Sequence, residues 1–200
     1  MTFSLFLLGW NLSPITLAFC LPLGIAAAWC FYFFRDPKRT ILKGDHLVLS
    51  PCDGKVMEVE VVQENSPLKE EALRISVFLS IFDVHVQRAP MAGKVRGVEH
   101  QPGRFHLAFQ EKAAEENERI DMLLETPQGS VLIKQIAGAV ARRCVNTAKK
   151  DQLLARGERF GMIRFGSRVD LFLPPQAKPL VKRGDRVRAA VNAVAQFEDG

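Results

Sequence analysis

Residues 1–34 contain no Asp, Glu, Lys or Arg, whereas the whole chain carries 27 basic and 22 acidic side chains. From Phe3 to Phe34 the stretch is apolar apart from Ser4, Asn11, Ser13 and Thr16. An uncharged run of this length is long enough to cross the roughly 30 Å hydrocarbon core of a bilayer as a helix. It therefore predicts a membrane anchor over residues 1–34, followed by a separate domain over residues 35–200.

Two prolines, Pro14 and Pro22, argue against one straight helix through the whole anchor. We expect one span over about residues 15–34, with residues 3–10 as an interfacial segment or as the first arm of a re-entrant hairpin. A cleaved signal peptide fits less well, because the stretch lacks a basic N-terminal region and its apolar part is too long.

Basic side chains follow the anchor at once: Arg35, Lys38, Arg39 and Lys43. By the positive-inside rule they predict that the rest of the chain lies on the cytoplasmic side of the cell (inner) membrane. The net charge of +5 suits an anionic membrane surface. No nucleic-acid partner is expected, because the basic residues are interspersed with acidic ones and form no sustained run.

The four cysteines, Cys20, Cys30, Cys52 and Cys144, form no CxxC pair. This spacing indicates reduced thiols, and it predicts neither a disulfide framework nor a metal site.

After residue 37, short apolar or alternating runs separated by Gly, Pro, Asn and charged residues predict a mostly β domain. The predicted strands are residues 47–49, 56–62, 75–81, 95–98, 122–124, 131–136, 162–165, 169–173 and 187–197. Three glycine-containing stretches that lead into strands resemble one another, at residues 50–56, 89–95 and 180–187. The third is similar to the Gly-Asp turn of lipoyl- and biotinyl-carrier domains, so we expect a barrel-sandwich-like β domain.

Three polar residues lie where apolar runs meet loops, although each has an ordinary structural explanation when taken alone. Ser167 follows Gly166 between two apolar runs, His85 lies in a polar loop after a predicted strand, and Asp53 lies in a Cys-Asp-Gly turn. Glycine leaves its carbonyl carbon sterically open, so the Ser167 hydroxyl could attack the bond that precedes its own nitrogen. Together the three residues supply a nucleophile, a base and an orienting carboxylate.

The chain resembles the phosphatidylserine decarboxylase family in its short form. The matching segments occur in one order, namely FFRDP at residues 33–37, PCDGKV at 51–56, SIFDVHVQRAP at 80–90, GRF at 103–105, NER at 117–119, QIAG at 135–138, ARR at 141–143 and GMIRFGSRVD at 161–170. So many matches in one order are far more specific than any single motif among them.

The resemblance implies an enzyme that decarboxylates phosphatidylserine to phosphatidylethanolamine. Ser167, activated by His85 with Asp53 orienting the imidazole, would cleave the Gly166–Ser167 bond and leave a covalent pyruvoyl group at residue 167. A Schiff base between that group and the substrate amine would then take up the electrons left by carbon dioxide, with no metal. The implied partners are the phospholipid substrate, the membrane and the two cleavage chains, residues 1–166 and 167–200, while homo-oligomer formation stays open.

Arg88 marks a departure from the longer family members, which carry a second histidine at that position. Either His85 therefore serves both cleavage and decarboxylation, or a different group supplies the proton. Arg88 could instead bind a carboxylate or phosphate, which suits its planar guanidinium. Phe105 and His106, in a loop with apolar neighbours, are further candidates for binding the lipid substrate.

Two other functions stay compatible with the sequence. One is an uncleaved, membrane-anchored barrel-sandwich module that binds lipid or a partner without chemistry. The other is a decarboxylase of an archaeal-type ether analogue of phosphatidylserine, because such a lipid presents the same headgroup. A persistent serine hydrolase is disfavoured, since no nucleophile-elbow pattern surrounds Ser167.

Overall fold

The computed structural model describes residues 14–64, 68, 70–106, 116–139, 143–164 and 166–198. The chain divides into two compact units, Met1–Arg35 and Asp36–Gly200.

The first unit contains the helix α1, Pro14–Phe33, which has 20 residues and includes Pro22. Proline suits the first position of a helix, because its missing N–H would have no intrahelical acceptor there. In the part of the chain that the structure describes, no helix is both long and apolar enough to cross a membrane. The membrane anchor over residues 1–34 stays a prediction, and the predicted interfacial segment at residues 3–10 lies outside the described residues.

The second unit is built from short strands, as the alternating apolar runs predict. The strands are β1 (Leu47–Leu49), β2 (Gly54–Glu64), β3 (Glu70–Leu79), β4 (Val86–Arg88), β5 (Gly93–Gln101), β6 (Arg119–Thr126), β7 (Gly129–Ile136), β8 (Cys144–Asn146), β9 (Leu153–Leu154), β10 (Arg159–Ile163), β11 (Ser167–Leu173), β12 (Lys178–Pro179), β13 (Arg186–Val187) and β14 (Ala193–Gln196).

The largest sheet has eight antiparallel strands in the order β13-β2-β3-β11-β7-β6-β5-β9, and it curls into a half-barrel. Two three-stranded sheets accompany it, in the orders β4-β10-β8 and β1-β14-β12. The predicted mostly β class is therefore confirmed, while the likeness to carrier domains stays a prediction.

Strand β11 is buried on both faces, which explains why its sequence is largely apolar. Side chains alternate between the two faces of a strand. Val169, Leu171 and Leu173 belong to the main hydrophobic core, so Ser167 lies on the same, core-facing side. Arg168 lies on the opposite face and is also buried.

Candidate active site

Six strands of the large sheet end or begin along one edge, and the register identifies the residues there. One row of paired residues runs through Lys55, Phe78, Arg168, Ile136, Arg119 and Gln101. Immediately beyond this row lie Gly54, Leu79, Ser167, Ala137, Glu118 and Pro102. The segments that carry six of the sequence motifs therefore meet at a single edge of the sheet.

Strand β3 lies between the segment that carries Asp53 and the segment that carries Ser167. Lys55 on one side and Arg168 on the other both pair with Phe78. Neighbouring strands lie about 4.8 Å apart, so the Asp53–Gly54 turn and the Gly166–Ser167 bond are separated by on the order of 10 Å. A Cβ atom added to Gly54 would lie 2.2 Å from the carbonyl oxygen of Phe78. Only glycine permits this close approach of β2 to the end of β3.

The chain crosses from the large sheet to the β4-β10-β8 sheet twice in this region, and the two crossings lie side by side. Residues 80–85 connect β3 to β4, and residues 164–166 connect β10 to β11. Ser167 pairs with Leu79 at one end of these crossings, and Met162 pairs with Val86 at the other end. The crossing that holds His85 is thus the neighbour of the crossing that holds Gly166.

The hydroxyl of Ser167 is fully buried, and its Oγ has no hydrogen-bond partner among the described residues. A buried hydroxyl without a partner is destabilising, so its retention in the core requires an explanation, and a chemical role is one such explanation. Gly166 has φ +53°, in the left-handed region, and among the described residues other than its chain neighbours no atom lies within 4 Å of the position that a Cβ would occupy. A side chain there would be strained by backbone conformation rather than by contact.

His85 is fully buried, and its Nδ1 lies 2.9 Å from the backbone carbonyl oxygen of Asp83. A carbonyl oxygen can only accept a hydrogen bond, so Nδ1 carries the proton in the neutral ring, and Nε2 carries the lone pair. The Asp83 carboxylate accepts hydrogen bonds from the backbone N–H and the hydroxyl of Ser80, at 2.8 and 2.7 Å. These bonds close the turn that positions the His85 ring.

Asp53 is also buried, but its carboxylate is used differently from the sequence-based prediction. Its Oδ2 lies 2.7 Å from Nη2 of Arg39, and its Oδ1 accepts a hydrogen bond of 2.8 Å from the N–H of Ala189. None of its hydrogen bonds among the described residues goes to His85. The turn is nevertheless fixed beside β4, because the N–H of Arg88 donates to the carbonyl oxygen of Pro51 at 2.9 Å.

Cys52 lies among the carboxylates of the site. Burial raises the pKa of its thiol well above the ordinary value, and the negative charges of Asp53, Asp83 and Asp170 raise it further. The thiol therefore stays protonated and acts here as a small apolar group.

Sequence reasoning did not identify a cluster of amides next to the site, in which Gln87 and Gln135 are fully buried and Asn146 is half-buried. Asn146 Nδ2 donates to Gln135 Oε1 at 2.9 Å, and Gln135 Nε2 donates to Gln87 Oε1. Gln135 pairs with Val169 and so shares the core-facing side with Ser167. The sequence feature that could have identified this cluster is the presence of amide side chains within apolar strands. Gln87, for example, lies two positions after His85.

Arg88 is almost completely buried, and its contacts are structural. Its Nη2 lies 2.9 Å from Asp36 Oδ1, and its Nη1 donates to the carbonyl oxygen of Gly157 at 3.1 Å. Arg159 Nε binds the other oxygen of Asp36 at 2.6 Å. The guanidinium thus binds a carboxylate of its own chain, and its role towards substrate stays a prediction.

Phe105 and His106 lie in the segment that follows β5, and both are partly exposed. His106 Nε2 lies 3.0 Å from Glu116 Oε2. Asn117 fixes this segment to the site edge, because its Nδ2 donates to the carbonyl oxygens of His106 and Ala137, each at 2.8 Å. Both residues are therefore attached to the same edge as Ser167, and their role in binding substrate stays a prediction.

On the opposite face of β11, Arg168 forms a buried ionic cluster. Its Nε lies 2.6 Å from Asp170 Oδ1, and its Nη2 lies 3.1 Å from Glu58 Oε2 and 2.9 Å from the hydroxyl of Ser76. This cluster fixes the residue that follows Ser167. Over the described residues, no group of three or more His, Cys, Asp or Glu side chains could hold a metal ion.

Comparison with known families finds a match over most of the chain. The model of the family described as phosphatidylserine decarboxylase matches residues 26–195. The matched region begins within α1 and includes both crossings between the sheets and all of β11.

Proposed function

The chain belongs to the phosphatidylserine decarboxylase family and is a carboxy-lyase that decarboxylates phosphatidylserine, and we propose that it does so through a pyruvoyl group made from its own Ser167. The observation that carries this proposal is the fully buried Ser167 hydroxyl, which lacks a partner among the described residues and directly follows a glycine with φ +53°. This pair lies at the sheet edge where the motif segments meet. The residues present therefore fit a group formed in place at residue 167.

Cleavage begins with the Ser167 hydroxyl. Nε2 of His85 takes the hydroxyl proton, Oγ attacks the Gly166 carbonyl carbon, and the peptide C–N bond breaks to give an ester and a free amine at residue 167. Removal of the Cα proton of residue 167 then breaks the Cβ–Oγ bond, and Gly166 leaves as a carboxylate. Water hydrolyses the resulting enamine after tautomerisation, which releases ammonia and leaves a ketone at residue 167.

His85 suits the role of base for a structural reason. The Asp83 carbonyl oxygen binds Nδ1, so the basic lone pair is on Nε2. Burial of the ring keeps water away from this proton transfer. Asp53 acts as a positioning residue in this proposal, because it joins the turn next to β4 to Arg39 and Ala189.

When formed, the pyruvoyl group supplies a ketone for the substrate amine and an electron sink for the pair left by carbon dioxide. The protein must then hold residue 167 in place although the chain is cut beside it. Strand β11 does this by pairing with β3 and β7 on both sides, and Arg168 adds its buried ionic cluster. The two chains, residues 1–166 and 167–200, stay joined because β11, β13 and β14 pair with strands of the longer chain.

Attachment to the cytoplasmic face of the cell membrane is the second part of the proposal. It is supported by the uncharged sequence of α1, by the exposed apolar side chains of Phe19, Leu23 and Phe31 along that helix, and by the basic residues that follow it. A substrate that resides in a bilayer also requires an enzyme that works at its surface.

Intact mass under denaturing conditions tests the cleavage, with Ser167→Ala as the matched variant. The wild type should give two chains, the shorter of which starts at residue 167, lacks a free amine and is lighter than a serine terminus by one ammonia. The variant should give one chain. A folded wild type that stays in one piece would overturn the proposal and favour an uncleaved binding module.

A further inference from the structure

The turn between β3 and His85 presents apolar side chains to solvent. Phe82 is 61% exposed and Ile81 is 38% exposed, although both lie within four residues of the fully buried His85. A phenylalanine at the tip of a turn is not needed for the core, and its exposure costs free energy in water. Exposed apolar residues beside a buried site are typical of a surface that meets a partner.

Basic side chains lie on strand β13, in the turn before it and on its partner β2, and Arg186 reaches the turn that carries Phe82. Arg186, which is 75% exposed, places Nη1 3.6 Å from the carboxylate of Asp83. Lys55 is its exposed partner across the β2–β13 pair. Lys182 and Arg183 are exposed in the turn that leads into β13.

Two acidic groups of the same region are already bound by neighbouring groups of the chain. Asp83 accepts hydrogen bonds from Ser80, and Asp185 Oδ2 accepts one of 2.9 Å from the N–H of Lys182. Two apolar and four basic side chains are therefore exposed along this turn and the adjoining β2–β13 pair, where the carboxylates of Asp83 and Asp185 are already bound. We refer to Ile81, Phe82, Lys55, Lys182, Arg183 and Arg186 as the loop-tip surface.

We propose that the loop-tip surface docks on the surface of an anionic phospholipid bilayer. Aromatic and aliphatic side chains at a turn tip can enter the interfacial region, while the surrounding lysines and arginines meet anionic headgroups. The charge of the surface is complementary to a bilayer of this kind. A second copy of the chain would have to bring an acidic surface to the same position.

This inference rests on the proposed function, because it adds a surface by which the enzyme would contact the membrane that holds its substrate. The turn that carries Phe82 also carries Asp83, whose carbonyl oxygen holds the His85 ring. Docking at the tip therefore places the headgroup region of the bilayer within a few residues of the proposed base. A lipid substrate could then reach the site while its acyl chains stay in the membrane.

The test places an environment-sensitive fluorophore on the full chain at Phe82→Cys, with Leu153→Cys as the matched control. Leu153 is 76% exposed and belongs to β9, at the other end of the large sheet. Cys20 and Cys30 are exposed and are replaced by serine in both variants, whereas Cys52 and Cys144 are buried. Vesicles contain phosphatidylcholine alone or with phosphatidylglycerol, and some carry a nitroxide-labelled lipid.

The label at residue 82 should shift to the blue and be quenched by the nitroxide lipid several-fold more than the label at residue 153. The quenching should be stronger on the anionic vesicles. Charge reversal by Lys182→Glu with Arg183→Glu should weaken the quenching at residue 82 at least ten-fold, because each neutralised cation near the surface is worth about five-fold in partitioning. The exposed pair Lys149→Glu with Lys150→Glu provides the matched control and should have little effect.

Equal quenching at residues 82 and 153, or quenching that survives the charge reversal, would overturn the inference. A blue shift that depends on protein concentration without vesicles would also overturn it, in favour of a second copy. The intact mass of the same samples tests self-cleavage, and therefore the proposed function, independently of membrane docking. Cleaved protein without quenching at residue 82 contradicts docking alone, and uncleaved protein with quenching contradicts self-cleavage alone.

Discussion

The imidazole of His85 is oriented by the backbone of Asp83, whose carbonyl oxygen lies 2.9 Å from Nδ1. The sequence suggested a carboxylate, Asp53, for this orienting role. A backbone carbonyl fixes the same tautomer without adding a negative charge beside the ring. The Asp83 side chain contributes indirectly by closing the turn onto Ser80.

His85→Ala should slow cleavage of the Gly166–Ser167 bond by roughly 10²–10⁴-fold, because it removes the proposed base. The rate is measured from the appearance of the short chain after synthesis in a cell-free system. His100→Ala is the control, since His100 is exposed and its Nε2 lies 3.4 Å from Glu118 Oε1, too far for a strong ion pair. Cleavage of His85→Ala at the wild-type rate would exclude His85 as the base.

Asp53→Asn and Arg39→Leu should have similar effects, because Asp53 acts through its ion pair with Arg39. Each change should lower the free energy of unfolding by about 2 kcal/mol, the contribution of a hydrogen bond to a charged group, and the double change should not be additive. Both single variants should slow cleavage to a similar degree. A loss of cleavage confined to Asp53→Asn would instead support direct orientation of the imidazole by Asp53.

Arg168→Leu should destabilise the protein by about 3–5 kcal/mol, because it leaves the buried carboxylate of Asp170 without its cation. The double change of Arg168→Leu with Asp170→Leu should cost less, since no unpaired charge remains. Urea unfolding is measured in the uncleaved Ser167→Ala chain, which keeps one covalent chain throughout. Lys178→Ala is the control, because its ion pair with Glu198 is exposed. Equal losses for the single and double changes would argue against a buried-charge effect.

Stability should fall at alkaline pH because of Cys144, whose burial raises its pKa from 9.0 to about 12. The unfolded chain releases this proton near pH 9 while the folded chain retains it. The contribution to stability is therefore complete below pH 9 and is lost as the pH rises from about 9 to about 12.

Urea midpoints at pH 8 and pH 10.5, compared between the wild type and Cys144→Ala, measure this loss. The wild type should lose more stability than the variant over this interval. An identical loss in both proteins would assign the alkaline effect to other groups.

The apolar runs in the sequence predicted where most strands lie, although the ladders extend beyond them. β2 covers residues 54–64 where alternation predicted 56–62, because backbone pairing with β3 continues past the alternating residues. The run at residues 187–197 was predicted as one strand, but it divides into β13 and β14. Ala190 has φ 61° in the intervening turn, where its N–H donates to the carbonyl oxygen of Ser50. Alanine carries no turn signal, so the local sign of this break is Asn192, whose Oδ1 accepts a hydrogen bond from the N–H of Arg188.

The sequence by itself determined the mostly β class, the family, and the Gly166–Ser167 pair between two apolar runs, because these depend on local periodicity and on residue order. Only the tertiary structure decided that the segments around Asp53, His85, Asn117, Ala137 and Ser167 share one sheet edge. It also decided that the carbonyl oxygen of Asp83 lies 2.9 Å from Nδ1 of His85, and that Arg88 binds Asp36. These relationships depend on the register between strands that lie far apart in the chain, and no local pattern specifies that register.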